Sequence, residues 1–302
     1  MSTQSNSIPF YIVDVFSDEP LAGNPLAVVP EAERLDENTM RRLAREFNQS
    51  ETTFLLPPSL AGADWRLRCF TPAGQEVFGA GHNALGAWWW LAASGKLDLG
   101  ATGRQFVQEI GTRTLPVEIT CSAGQLVSVG MTQTAPVIGQ RYFNSKELTA
   151  ALGLQDRDIV IDRLPMEVVS TGAAHMLVPV RDRSAVDRSR PDPARLAAIL
   201  HSIEAKGCYL FSLDPLSPDS VAYARFFNPV EGISEDAATG SAAGPLACQL
   251  VAHKVVEDGT IMTIEQGRAM GRPSLIRVRV SGNSVVVMGR GVITAEGVVR
   301  VR

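Results

Sequence analysis

Arg68-Cys69-Phe70-Thr71-Pro72 returns half a chain later as Arg225-Phe226-Phe227-Asn228-Pro229. The first copy leads into Gly81-His82-Asn83-Ala84 and the second into Gly240-Ser241-Ala242-Ala243, each a small-residue turn that opens an apolar stretch. Strand, turn and helix start recur in the same order, which reads as a duplication giving two similar lobes.

The apolar stretches behind these turns define what each lobe encloses. Trp88-Trp89-Trp90-Leu91 places four large apolar groups at successive steps of about 100°, so no face of that helix is left for water. Leu246 to Val251 is similarly apolar apart from Gln249, with Pro245 expected in a first helical turn that tolerates it. Most other runs are short and strand-like, so each lobe reads as a sheet curled around one helix. The fold class is α+β: two similar lobes in pseudo-twofold relation, each a curled, mostly antiparallel sheet around a central helix. Core packing accounts for the three tryptophans, and no cofactor role is assigned to them.

Outward from the repeat, the strand pattern covers 10–16, 26–29, 52–56, 65–70, 105–110, 115–120, 125–131, 174–180, 221–227, 275–280 and 284–288. Helices are expected over 36–47, with Asp36 as its cap, and over 191–203, with Pro193 in its first turn. A length prior of roughly 150 residues per domain agrees with two lobes. The first is placed at 1–132 with 292–302 returning to its sheet, and the second at 133–291.

The balance of 28 Lys and Arg against 32 Asp and Glu, for a net charge of −4, argues against a nucleic-acid partner. No apolar run is long enough to span a bilayer, so no membrane partner is expected. The four cysteines form no CxxC pair and suggest neither a disulfide framework nor a zinc site. Residues 1–7 lack the basic and apolar regions of a signal peptide, and the expected location is cytoplasmic.

The helix starts are where chemistry is expected. Gly79-Ala80-Gly81-His82 and Ala238-Thr239-Gly240-Ser241 present backbone N–H groups where the helix dipole favours negative charge. Lobes packed face to face would aim both into one cleft, which suits a small carboxylate-bearing substrate. His82 is either a helix-start residue bonded to backbone or a neutral imidazole that donates a hydrogen bond or relays a proton. Asp236 either caps its turn or acts on substrate, and Ser241 is open to the same two readings. Glu51, in Ser50-Glu51-Thr52-Thr53-Phe54, is either a solvated strand-end residue or a desolvated base. GxGxxG, the Walker pattern, HExxH and GxSxG are all absent, so no nucleotide, metal or acyl-enzyme chemistry is implied.

At these residues the chain resembles the PhzF family of phenazine-biosynthesis isomerases, which share the diaminopimelate epimerase fold. The matching segments are Gly23-Asn24-Pro25, Ser50-Glu51-Thr52-Thr53-Phe54, Phe70-Thr71-Pro72, Gly81-His82 and the run from Glu235 to Leu246. Gln266-Gly267, Gly271-Arg272-Pro273-Ser274 and Gly289-Arg290-Gly291 extend the match toward the end. The resemblance implies a cofactor-independent isomerase of trans-2,3-dihydro-3-hydroxyanthranilate or a close analogue, and a homodimer. By position it implies Glu51 as the proton carrier, with His82, Asp236 and Ser241 as catalytic partners and Ser50, Gly81, Thr239 and Gly240 as substrate-binding positions. Related epimerases carry a cysteine at each helix start; Gly81 and Thr239 stand there, so two-thiol racemisation is not expected. One departure stands beside His82: Phe78-Gly79-Ala80-Gly81 replaces the usual Pro-Phe-Ala-Gly, and Asn83 replaces Pro or Ala.

Overall fold

The computed structural model describes residues 7–301; residues 1–6, on which the leader reading rests, and Arg302 lie outside the described residues. The chain divides into two compact units, the first running to Met131 and resuming at Gly289, the second spanning Thr132–Met288.

In the first unit β1 (Ser7–Val15), β2 (Asn24–Val29), α1 (Glu37–Phe47), β3 (Glu51–Leu56), β4 (Trp65–Phe70) and β5 (Glu76–Val77) precede the helix α2 (His82–Ala93). After it come β6 (Gly103–Ile110), β7 (Arg113–Ser122) and β8 (Gln125–Gln133). A closing strand, Gly291–Arg300, pairs antiparallel with β1. The sheet runs closing strand, β1, β2, β3, β4, β6, β7, β8, and only β2–β3 and β4–β6 are parallel. α2 is buried from Asn83 to Ala92, as its tryptophan run requires. The one polar atom of Trp88 is satisfied there, its indole N–H donating to Gln108 Oε1 at 2.9 Å.

The outer face of this sheet is covered by α1. Asp36 accepts the Thr39 N–H at 2.7 Å and caps the helix, and Met40, Leu43 and Ala44 pack on Val29, Phe54 and Phe70. Each large side chain so buried contributes about 1.5–3 kcal/mol. Covered on both faces, β3 is buried without alternation from Thr52 to Leu55.

The second unit begins with β9 (Val137–Arg141), α3 (Ser145–Leu152), β10 (Glu167–Ser170), β11 (Ala174–Pro179), α4 (Arg183–Arg188) and α5 (Pro193–Ser202). It continues with β12 (Gly207–Ser212), β13 (Ala222–Asn228), β14 (Ile233–Asp236), α6 (Gly240–Ala252), β15 (Ile261–Gln266), β16 (Ser274–Ser281) and β17 (Ser284–Gly289). Its sheet runs β9, β10, β11, β12, β13, β15, β16, β17, and only β11–β12 and β13–β15 are parallel. That is the pairing succession of the first unit, element for element, with α6 in the place of α2. The duplication inferred from five residues therefore extends through both sheets.

Register makes the correspondence residue-specific. Thr52 faces Phe70 and Thr53 faces Cys69; Cys208 faces Phe227 and Tyr209 faces Phe226. Glu51 therefore corresponds to Gly207. On the neighbouring short strands, Cys69 faces Val77 and Phe226 faces Asp236, so Asp236 corresponds to Val77.

The structure corrects one local reading. α6 starts at Gly240, so Pro245 lies in its interior and not in its first turn. Its missing N–H leaves the Ser241 carbonyl without the usual i→i−4 donor.

Candidate active site

The eight residues singled out from sequence fall into two groups, one on each unit. In the first, the parallel pairing of β2 with β3 sets Leu26 beside Glu51, so the beginnings of both strands lie together. Gly23, at φ +67, makes the turn into β2; a Cβ there would lie 2.3 Å from Val15 O, so only glycine fits. It delivers Asn24, buried at 2% exposure, to the site. Ser50 Oγ donates to Asn24 Oδ1 at 3.3 Å.

His82 is the first residue of α2 and stands within reach of both Ser50 and Glu51. Its Nε2 is 3.2 Å from Ser50 Oγ, and its Nδ1 is 3.9 Å from Glu51 Oε2. Burial pushes the imidazole pKa down to about 4, so the ring is neutral near pH 7. The Ser50 hydroxyl proton is given to Asn24, which makes Nε2–H the donor to Ser50 and leaves a lone pair on Nδ1 toward Glu51. At 3.9 Å the two atoms do not bond directly, but a polar atom set off their line can hydrogen-bond to both.

Asn83 holds this turn together, and the sequence reading gave it no role. Buried at 1% exposure, its Oδ1 accepts the Gly81 and Ala84 N–H groups at 2.7 and 2.8 Å. Its Nδ2 donates to Gly79 O at 3.0 Å, while Thr53 Oγ1 donates to the Asn83 carbonyl at 3.1 Å. The helix start is thereby tied to β3 two residues from Glu51. The departure from the usual Pro or Ala marks a polar latch.

In the second unit, Asp236 ends β14 and Thr239 is the N-cap of α6. The Thr239 hydroxyl donates to Asp236 Oδ2, so Asp236 is held by the cap residue and does not itself cap the helix. Gln266 supports both. Its Nε2 donates to Asp236 O at 2.8 Å and Thr239 Oγ1 at 3.1 Å, and its Oε1 accepts from Tyr209 OH at 2.9 Å and the Thr239 N–H at 3.2 Å. All four hydrogen-bonding capacities of a fully buried amide are thus used. Gly267 follows at φ +82, where a Cβ would lie 2.2 Å from Arg272 O. Gln266-Gly267 was part of the resemblance but carried no assigned role; that was the available signal.

Gly240 and Ser241 open α6. The Ala242 and Ala243 N–H groups bond to Thr239 O at 3.1 and 3.0 Å, and the Gly240 carbonyl accepts from Gln133 Nε2 at 3.2 Å. Counted from the N-caps Gly81 and Thr239, His82 is the first helical residue and Ser241 the second. The two side chains, paired in the sequence repeat, therefore differ by one helical position. Glu235, which precedes Asp236, is bound to Arg225 by hydrogen bonds of 2.8 and 2.7 Å and is structural.

Among the described residues, no group of three or more His, Cys, Asp or Glu side chains is placed to hold a metal ion, and all four cysteines are buried and free. No helix among the described residues is long and apolar enough to cross a membrane.

Comparison with known proteins follows the same lines. Residues 13–297 match the PhzC-PhzF family, described as phenazine biosynthesis-like protein. The trans-2,3-dihydro-3-hydroxyanthranilate isomerase of Pseudomonas aeruginosa is 36% identical over 293 residues, covering 95% of this chain and 98% of its own. A Bacillus anthracis phenazine biosynthesis protein of the PhzF family superposes with a TM-score of 0.89 at 27% identity, over 98% of this chain and 99% of that one. A hydroxyproline epimerase from Agrobacterium vitis, at 14% identity, shares the fold with a TM-score of 0.62 over 99% of this chain and 94% of its own.

Proposed function

The chain belongs to the PhzC-PhzF family of phenazine biosynthesis-like proteins, and from that premise we propose that this isomerase converts trans-2,3-dihydro-3-hydroxyanthranilate, or a close analogue, to its ketone tautomer through Glu51. The observation that carries the reading is the pairing of the Glu51 carboxylate with a largely shielded, neutral His82 whose Nδ1 faces it at 3.9 Å. Glu51 takes the proton from one ring carbon, becomes a carboxylic acid, and returns the same proton to another carbon of the diene. The resulting enol then settles to the ketone, so no atom is gained or lost.

One base is enough for this reaction, and the register supports one base. The position in the second unit that corresponds to Glu51 is Gly207, where a Cβ would lie 2.4 Å from the Phe226 ring. No side chain can stand there to act as a second base. His82 is a positioning group and not a proton carrier: Nδ1 accepts a hydrogen bond from the substrate or, through a bridging polar atom, from protonated Glu51, while Nε2–H stays on Ser50. Asp236 is the counter-charge for the substrate ammonium. The N–H groups at Gly81–His82 and Thr239–Ser241 hold the carboxylate and the negative charge that develops during abstraction.

The test is to incubate the purified protein with trans-2,3-dihydro-3-hydroxyanthranilate in D2O, following absorbance and deuterium content together. Loss of the diene absorbance, with the product retaining a substantial share of the transferred hydrogen, is the expected result. Complete exchange with solvent would overturn the closed one-base shuttle, and no absorbance change would overturn the substrate.

A further inference from the structure

One cavity is lined by none of the residues assigned above. It lies in the second unit, has a volume of about 600 Å³, and is walled by Arg183, Arg190, Arg225 and Arg268 against a single acid, Asp187. In a chain of net charge −4, a cavity with four arginines and one aspartate is not a reflection of composition. It has a local source: four of the ten residues 181–190 are arginine.

The guanidinium groups are not equally engaged. Arg225 spends Nε, Nη1 and one Nη2 hydrogen on Glu235, the Val186 and Ser189 carbonyls and Ser189 Oγ, so it forms mostly wall and keeps at most one Nη2 donor. Arg183 donates Nη1 to Pro215 O at 2.8 Å and lies 3.5 Å from Asp214. Arg190 gives Nη1 to the Asp187 and Ser189 carbonyls, which leaves its Nε and Nη2 donors. Arg268 has no carboxylate within ion-pair distance among the described residues. Asp187, the opposing charge, already accepts the Tyr223 hydroxyl at 2.7 Å.

The duplicated fold supplies an internal control. On the corresponding face of the first unit, Glu37 of α1 takes the Arg68 guanidinium at 2.7 Å and Arg41 at 2.7 Å, and with Glu76 on Arg68 the two positive charges meet two negative ones. In the second unit a serine and two backbone carbonyls take that place on Arg225. Excess positive charge is therefore peculiar to this unit and not a by-product of the sheet.

We propose that this cavity binds a small organic molecule carrying two or more oxyanion charges, as phosphoryl or carboxylate groups. Guanidinium forks match both groups bidentately, and Leu216 and Ala269 supply an apolar wall for a carbon body. Because Arg190 and Arg268 are open to solvent, binding is modest and salt-sensitive.

Calorimetric titration of the full chain with pyrophosphate and with citrate, at about 0.05 M and about 0.15 M ionic strength set with NaCl, tests this. Saturable one-to-one binding that weakens at the higher salt is expected. Arg190→Ala and Arg268→Ala should each weaken it about two- to fivefold, and the double variant more than about tenfold. Asp187→Asn, which keeps the acceptor for Tyr223 but removes the opposing charge, should tighten it. Whichever anion binds more tightly identifies the head group. The absence of saturable binding up to about 10 mM, where affinity is weaker than about 3 kcal/mol, would overturn the site. So would binding that is unchanged in the double variant.

Discussion

Arg68 grips Glu76 with two hydrogen bonds of 2.7 Å and lies 5.0 Å from the centroid of Phe70, two residues along its strand. Arg225 grips Glu235 at 2.8 and 2.7 Å and lies 4.9 Å from Phe227, again two residues along. A second pair behaves alike: buried Glu109 accepts the Ser59 and Leu60 N–H groups, and buried Glu265 accepts those of Leu216 and Ser217. These contacts anchor the strand before each helix start, and both units keep them. What differs is the carboxylate each unit carries beside its helix start. Glu51 has Gly207 as its counterpart, and Asp236 has Val77. Each unit carries one acid at a place where the other has none.

The largest effect is expected where the asymmetry is greatest. Glu51→Gln keeps shape and hydrogen-bonding reach, yet turnover should fall about 10²–10⁴-fold, because no second base stands at Gly207. Near-normal turnover in the absorbance assay would return Glu51 to a solvated strand-end role and break the comparison.

The clamps should differ in strength although their geometry matches. The side chains of Arg225 and Glu235 are 8% and 15% exposed, whereas Glu37, which shares Arg68 with Glu76, is 51% exposed. Arg225→Met strands a shielded carboxylate and should cost about 3–5 kcal/mol. Arg68→Met should cost less, about 1–3 kcal/mol, because Glu37 is open to water although Glu76 is nearly as shielded as Glu235. Denaturant unfolding of the two variants makes the comparison, and equal losses would show that burial does not separate the clamps.

Asp236→Asn removes the charge while keeping the acceptor for Thr239. We expect kcat/KM to fall about 10–100-fold with binding and rate both affected, as for a charged partner lost from a recognition site. A change confined to melting temperature would assign Asp236 to structure alone.

Acid sensitivity, by contrast, is common to the two units. Burial pushes His82 down to about 4, and burial with a contribution from Lys206 pushes His175 down to about 3. The ordinary value is 6.5, so below it the unfolded chain takes up protons that the folded chain refuses. Their contribution is complete above about pH 6.5 and drains as pH falls toward those folded values, by about 2 kcal/mol per histidine at pH 5. Among the described residues neither ring nitrogen of His175 has a hydrogen-bond partner, and register sets it opposite Gly207 as Leu26 is set opposite Glu51. His175→Leu should therefore flatten the acid limb of stability against pH by that share. An unchanged limb would show that His175 finds a proton-accepting partner on acidification.

Ser241→Ala is expected to give the smallest effect, a loss of about two- to fivefold in kcat/KM, since the helix-start N–H groups remain in place. A loss of several hundredfold would make the hydroxyl, and not the backbone, the principal donor.

Legibility followed the range of the interactions. Asp36 and the spacing of Met40, Leu43 and Ala44 announced α1, and the tryptophan run announced an enclosed α2, because caps and periodicity are local. α4, Arg-Ser-Ala-Val-Asp-Arg, carries no helical stripe, and Gly207–Ser212 is a short buried run opened by glycine, so neither declared itself. At the site, Glu51, His82, Asp236 and Ser241 stood out as chemistry-bearing types beside turns. Asn24, Asn83 and Gln266 did not, since an amide reads as important only once its partners are known.

The sequence by itself determined that the chain is two related lobes, that each encloses a helix, and that acids and an imidazole stand near the helix starts. Repeat, periodicity and capping are written within a few residues of one another. The tertiary structure decided which nitrogen of His82 faces Glu51, that Gln266 holds Asp236 and Thr239, and that Glu51 aligns with Gly207. Those facts depend on strand pairing between residues far apart in the chain and on the water that packing removes. Register and burial, unlike propensity, do not exist until the sheets have closed.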